Sequence, residues 1–81
     1  FLILPGGFGT LEEFADTATH YRIYAEEADR PPIIIANIEG IYDPLRALFE
    51  NWTSTEFITA DEWKNIHFIS SIKELLPLLP K

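Results

Sequence analysis

The stretch Phe1-Leu2-Ile3-Leu4-Pro5-Gly6-Gly7-Phe8-Gly9-Thr10-Leu11-Glu12-Glu13-Phe14 decides how this chain is read. An unbroken apolar run stops at a proline. Two glycines, an aromatic residue and a third glycine follow, then a Thr-x-x-Glu spacing. Phe1 to Leu4 predicts a strand buried on both faces, as in parallel sheets. Pro5 to Gly9 predicts a loop whose glycines let the backbone approach a ligand and adopt positive φ. From Thr10 to about Ala28 the period turns helical, with Leu11, Phe14, Ala18, Tyr21 and Ala25 on one stripe. Thr10 and Glu13 have the spacing of a capping box. Glu12, Glu13 and Asp16 crowd the first turns, where the helix dipole favours acids.

The pattern repeats downstream. Asp29-Arg30-Pro31-Pro32 ends the helix, because proline disfavours helical geometry in the residue before it. Ile33 to Ile38 is apolar on both faces and predicts a central parallel strand. About 30 residues separate the two strands, the size of a βαβ unit. Glu39 to Tyr42 forms a loop. Asp43 then predicts an N-cap and Pro44 a first helical residue. That helix carries Leu45, Leu48, Phe49 and Trp52 and breaks at Thr53 to Thr55. Thr59 to Lys64 predicts a short helix with Thr59 and Glu62 as its capping box. Ile66 to Ile69 predicts a third strand. Ser71-x-x-Glu74 opens a last helix, which Pro77 kinks or ends. The order β-α-β-α-(α)-β-α predicts an α/β layered fold with right-handed crossovers.

The 81 residues suffice for one small domain, without repeats or a linker. The chain opens in mid-strand and contains no Met, so it reads as part of a longer protein. Thirteen acidic residues against six basic ones give a net charge of -7. That balance argues against a nucleic-acid partner, which needs a basic face. No apolar run approaches the roughly 20 residues of a membrane span. The absence of Cys excludes a disulfide framework or thiolate zinc site within these residues and fits a reducing, cytoplasmic setting. His20 and His67 stand in no metal-ligand spacing, so no metal is expected. Trp52 and Trp63 read as core or interface aromatics, and Arg22 and Arg30 as partners for nearby acids.

Ligands of open parallel sheets sit outside the carboxyl ends of the strands. Pro5 to Thr10, Asn37 to Tyr42 and Ser70-Ser71 fall on that edge. The first is the richest, because glycines meet a helix N-terminus whose free N–H groups suit an anion such as phosphate. It is neither a dinucleotide fingerprint, since Glu12 stands where the third glycine belongs, nor a P-loop, since no Gly-Lys-Ser/Thr follows. On spacing alone, a structural turn and a capping box are the commoner explanations.

The nine residues Pro5-Gly6-Gly7-Phe8-Gly9-Thr10-Leu11-Glu12-Glu13 carry more than spacing. They resemble the Pro-Gly-Gly-x-Gly-Thr-x-x-Glu motif of the LOG family, the cytokinin riboside 5′-monophosphate phosphoribohydrolases often labelled lysine decarboxylases. Arg30 to Asn37, Gly40 to Leu45 and Phe57-Ile58 are similar in the same order, so the resemblance covers nearly the whole chain. It implies a Rossmann-like parallel sheet with helices on both faces. Residues 1–81 would be the C-terminal part, with about three strands, of a single nucleotide-binding domain.

The implied activity is hydrolysis of the N-glycosidic bond of a nucleoside 5′-monophosphate by a homodimer, with no cofactor. The implied catalytic residue is Glu13. The implied substrate-binding residues are Gly6, Gly7, Phe8, Gly9, Thr10, Leu11, Glu12, Glu13 and Thr19, with Gly7 to Thr10 on the phosphate and Thr19 lining the pocket. The family's compensating Arg-Lys motif belongs upstream of this segment, so these residues alone are expected to be inactive. The family's motif helix often has Trp and Gln after the threonine. Here His20 follows Thr19, and Arg22 takes the Gln position. Alternative readings are a nucleotide-binding module without hydrolysis and a structural α/β dimerisation domain.

Overall fold

The computed structural model describes residues 1–24 and 30–78. Its elements are β1 (Leu2–Ile3), α1 (Phe8–Tyr24), β2 (Ile33–Ala36), a 3-10 turn (Ile38–Gly40), α2 (Asp43–Ser54), α3 (Ala60–Lys64), β3 (Ile66–Ile69) and two further 3-10 turns (Ile72–Glu74 and Leu76–Leu78). The three strands form one parallel sheet in the order β1-β2-β3. Ile3 pairs with Ile35, and Ile35 with Phe68. The α/β class and the parallel sheet are as the sequence predicts.

Successive right-handed crossovers that step in one direction put their helices on one face. Ile3, Ile33 and Ile35 on that face pack with Phe14 of α1 and Phe49 of α2, and Trp63 of α3 joins them. The other face presents Ile34, Ala36 and Ile69, against which Leu75 and Leu78 of the C-terminal turns pack. All four residues of β2 are buried, which explains why its sequence is apolar without alternation. Phe49 is the hub of the helical layer. Its ring centroid lies 5.1 Å from Phe14, 5.6 Å from Trp52, 6.3 Å from Phe68 and 6.5 Å from Trp63.

Several boundaries differ from expectation. The first two strands, Leu2–Ile3 and Ile33–Ala36, are shorter than their apolar runs. Helix α1 begins at Phe8, not Thr10, and the Gly7 carbonyl accepts its first helical bond from Leu11 N–H at 3.1 Å. Thr10 is therefore the third helical residue, and the expected Thr10–Glu13 capping box does not form. The continuation of this helix to Ala28 and its stop at Asp29 lie outside the described residues. Tyr42 precedes α2, which puts Asp43 and Pro44 inside its first turn. In place of a last α-helix stand the two 3-10 turns. The Thr59–Glu62 capping box forms in both directions, at 2.9 and 3.1 Å. Among the described residues, no helix is long and apolar enough to cross a membrane.

Candidate active site

The glycine loop leaves the carboxyl end of β1 and enters α1 directly. With Gly7 accepting the first helical bond, the N–H groups of Phe8, Gly9 and Thr10 have no partner inside the helix. They open onto the carboxyl edge of the sheet. The three glycines play different parts. A Cβ at Gly6 would collide with the Thr10 hydroxyl and stand 3.0 Å from Thr10 Cβ. Gly6 is thus required by the fold, since the threonine seats against its bare Cα. A Cβ at Gly7 or Gly9 would meet nothing within 4 Å. Neither has the positive φ that its residue type allows, since Gly40 is the one glycine with it among the described residues. Neither sterics nor φ calls for glycine at these two positions. Gly7 stands at the N-cap of α1, where glycine is favoured over alanine, Gly9 has no such role, and a ligand lying against the backbone makes use of both.

Around this loop Phe8 is almost fully exposed, at 92%, and Leu11, Glu12 and Glu13 are exposed as well. Among the described residues neither Glu12 nor Glu13 has an ion-pair partner. Glu13 lies less than two turns into α1, close to the free N–H groups. Thr19 is not brought together with it. Six residues of helix separate them by about 9 Å along the axis and about 120° around it. Thr19 instead shares an exposed row with Leu11, Ala15 and Ile23, spaced by four residues.

The second edge segment is strapped to the first. The Tyr42 hydroxyl donates to the Leu4 carbonyl at 2.7 Å. The Asn37 side chain accepts from Tyr42 N–H at 2.6 Å and donates to Asp43 Oδ1 at 2.7 Å. Two consecutive residues here have positive φ, Glu39 at 55° and Gly40 at 74°. Glu39 is the unusual one, because a side chain in this region costs about 1–2 kcal/mol. At Gly40 a Cβ would also stand 2.6 Å from Asp43 Oδ2. The sequence placed Asn37, Glu39 and Tyr42 on the ligand edge by topology. The hydroxyl contact spans 38 residues and has no local signal.

The third edge segment is already satisfied. The Glu74 carboxylate accepts from Ser70 N–H, from the Ser70 hydroxyl at 3.0 Å and from Ser71 N–H at 3.0 Å. These bonds, chiefly that from Ser70 N–H, hold its carboxyl below the ordinary range. Its donors are not open to a ligand.

Two clefts lie away from the glycine loop. One of about 470 Å³ runs along the outer edge of β3, lined by Arg46, Trp63, His67 and Leu78 among others. The other, about 430 Å³, lies between Arg22, Arg30, Phe57, Thr59 and Glu62. In it Arg22 forks onto Glu62 and reaches the Phe57 carbonyl at 3.3 Å. Arg22 is thus engaged within the fold, as its reading as an ion-pair partner requires. The glycine loop is by contrast an open surface.

Comparison with known proteins adds to this geometry. The family model described as "Possible lysine decarboxylase" matches residues 1–79. The chain is 39% identical over 61 residues to the probable cytokinin riboside 5′-monophosphate phosphoribohydrolase LOGL1 of Oryza sativa subsp. japonica, covering 75% of this chain and 26% of the relative. It is 32% identical over 76 residues to the phosphoribohydrolase LOG of the same plant, covering 94% of this chain and 30% of the relative. To the cytokinin riboside 5′-monophosphate phosphoribohydrolase of Mycobacterium tuberculosis (strain ATCC 25618 / H37Rv) it is 30% identical over 76 residues, covering 94% of this chain and 39% of the relative. The chain therefore spans between 26% and 39% of the length of these relatives. With the family model matching this chain over residues 1–79, the chain belongs to the LOG family.

Proposed function

We propose that the protein carrying this segment hydrolyses the N-glycosidic bond of a nucleoside 5′-monophosphate, a cytokinin riboside monophosphate or AMP, to free base and ribose 5-phosphate. The observation that carries this reading is the pair Gly7 and Gly9. A Cβ at either would meet nothing within 4 Å, and both lie at the unpartnered N–H groups of Phe8, Gly9 and Thr10 at the carboxyl end of a parallel strand. In this reading the 5′-phosphate rests on Gly6 to Thr10 and accepts from the N–H groups of Phe8, Gly9 and Thr10. Leu11 and Glu12 complete the near wall.

Holding the phosphate at one point sets the ribose against Glu13. As the C1′–N bond breaks, its electron pair leaves with the base and positive charge builds on the sugar. The Glu13 carboxylate stabilises that charge and orients the attacking water. The water oxygen bonds to C1′, and its proton ends on the departing base. Two carboxylates beside a phosphate repel it, so a cation belongs in the complete site. The Arg-Lys pair that the family carries ahead of this segment fills that role, with residues 1–81 as the C-terminal part of one Rossmann-like domain. Thr19 cannot share a face with Glu13 in one chain. A homodimer resolves this, with the exposed row Leu11-Ala15-Thr19-Ile23 turned to the partner subunit.

The test uses the full-length protein with AMP and with a cytokinin riboside 5′-monophosphate, following release of the base. Glu13→Gln is expected to abolish turnover without moving the unfolding midpoint, since Glu13 is exposed. Wild-type turnover in that variant rules out the assigned role. Nucleotide binding without release of base points to a non-hydrolytic module instead.

A further inference from the structure

We infer that Tyr42 is a positioning residue for the phosphate loop, its phenol fixing the peptide on which the loop hinges; this rests on the phosphate reading above. The loop joins strand to helix through Leu4, Pro5, Gly6 and Gly7. Pro5 has no N–H, so the Leu4–Pro5 peptide offers a single hydrogen-bonding group, the Leu4 carbonyl. The Tyr42 hydroxyl takes it at 2.7 Å. The glycines beyond can adopt more backbone conformations than other residues, so that bond limits how the segment from Leu4 to Gly7 lies against the first turn of α1, where the Phe8, Gly9 and Thr10 N–H groups stand.

Tyr42 is itself referred to the sheet. Its ring packs against the core that contains Ile3, Phe14, Ile35 and Phe49. Its N–H is held by Asn37 Oδ1 at 2.6 Å, and Asn37 N–H donates to the Ile69 carbonyl at the end of β3 at 2.8 Å. One strap thus runs from β3, across the end of β2, to the end of β1. The strained backbone at Glu39 lies within it, between Asn37 and Tyr42. Backbone strain of this kind persists where the surroundings over-determine a conformation. A phenol that served packing alone has no need to end on this carbonyl.

Tyr42→Phe removes the hydroxyl and leaves the ring. The experiment measures dissociation constants of AMP, ribose 5-phosphate and adenosine by calorimetry for full-length protein with and without Tyr42→Phe, with Glu13→Gln present in both for the AMP titrations so that AMP is not consumed. Amide exchange at Gly6 and Gly7 is measured in both. The expected result is a loss of about tenfold for AMP and ribose 5-phosphate, the worth of one hydrogen bond. Adenosine affinity stays unchanged and exchange at the two glycines quickens. A uniform loss for all three ligands assigns Tyr42 a structural role only and overturns the inference, as does an unchanged preference for the phosphorylated ligands. If the wild-type protein binds no phosphorylated ligand, the phosphate reading itself falls and this inference with it.

Discussion

The Arg22 guanidinium forks onto the Glu62 carboxylate, with Nη2 2.7 Å from Oε1 and Nε 2.8 Å from Oε2. The pair joins α1 to α3 across 40 residues of sequence. The same carboxylate also accepts from Thr59 N–H, so one side chain closes both a tertiary contact and a helix cap. The hydrogen bond from Arg22 is the main reason its carboxyl is held below the ordinary range, with burial opposing it. A depressed carboxylate stabilises the fold above its unfolded value of about 4.3, and that stabilisation is lost as pH falls through the lower folded value.

Glu62→Gln and Glu62→Ala separate the two roles. Gln still serves at the third position of a capping box, so Glu62→Gln removes the charge and keeps the cap. Arg22 is 53% exposed, which limits the ion pair to about 0–1 kcal/mol. Glu62→Ala also loses the bond from Thr59 N–H, while Thr59 Oγ1 still accepts from the backbone N–H of residue 62, and costs about 1–2 kcal/mol in total. Denaturant unfolding between pH 3 and 7 checks this, with pH set as a range of about 4 units around the carboxylate value. Both variants are expected to show a flatter acid limb than the wild type.

Phe49→Ala tests the hub of the core. Phe49 is 2% exposed and stacks on Phe14 while touching Trp52, Trp63 and Phe68. Truncating a buried Phe costs about 3–5 kcal/mol, against a total stability of about 5–15 kcal/mol for a domain. The variant is expected to unfold at a markedly lower denaturant concentration, with near-ultraviolet circular dichroism reporting the altered aromatic packing.

Much of this fold was legible because it follows from local pattern. Ile66 to Ile69 matched its strand, and Thr59-x-x-Glu62 matched its capping box. The same spacing at Thr10 and Glu13 misled. Thr59 follows a segment in which only its own side chain can cap, whereas Thr10 follows glycines, and Gly7 serves as the cap three residues early. Spacing cannot tell these apart, because the choice depends on which residue closes the first turn. Contacts such as Tyr42 with Leu4 and Arg22 with Glu62 were beyond reach for another reason. They join residues 38 and 40 apart, and only the packed sheet and helices bring them together. At the site, the loop and the neighbouring edge segments were readable from topology, but not the separate roles of the three glycines.

Those roles give the sharpest prediction. Gly6→Ala drives a methyl group into Thr10, whose own Cβ stands 3.0 Å away, so turning the hydroxyl aside does not clear it. Overpacking of this kind costs about 1–3 kcal/mol. Gly7→Ala meets nothing within 4 Å but gives α1 a poorer N-cap and is expected to cost up to about 1 kcal/mol. Gly9→Ala lies inside α1 and is expected to gain up to about 0.5–1 kcal/mol from the helix preference of alanine. Nucleotide binding follows a different order. If the phosphate lies against this backbone, Gly7→Ala and Gly9→Ala weaken binding of AMP and ribose 5-phosphate by more than stability explains, since Gly9→Ala is not destabilised and Gly7→Ala only slightly. Thermal unfolding and calorimetric titration of the three variants decide the matter. Unchanged affinity in both the Gly7 and Gly9 variants would place the phosphate elsewhere, whereas loss of affinity without loss of stability is the signature of glycines kept for a ligand.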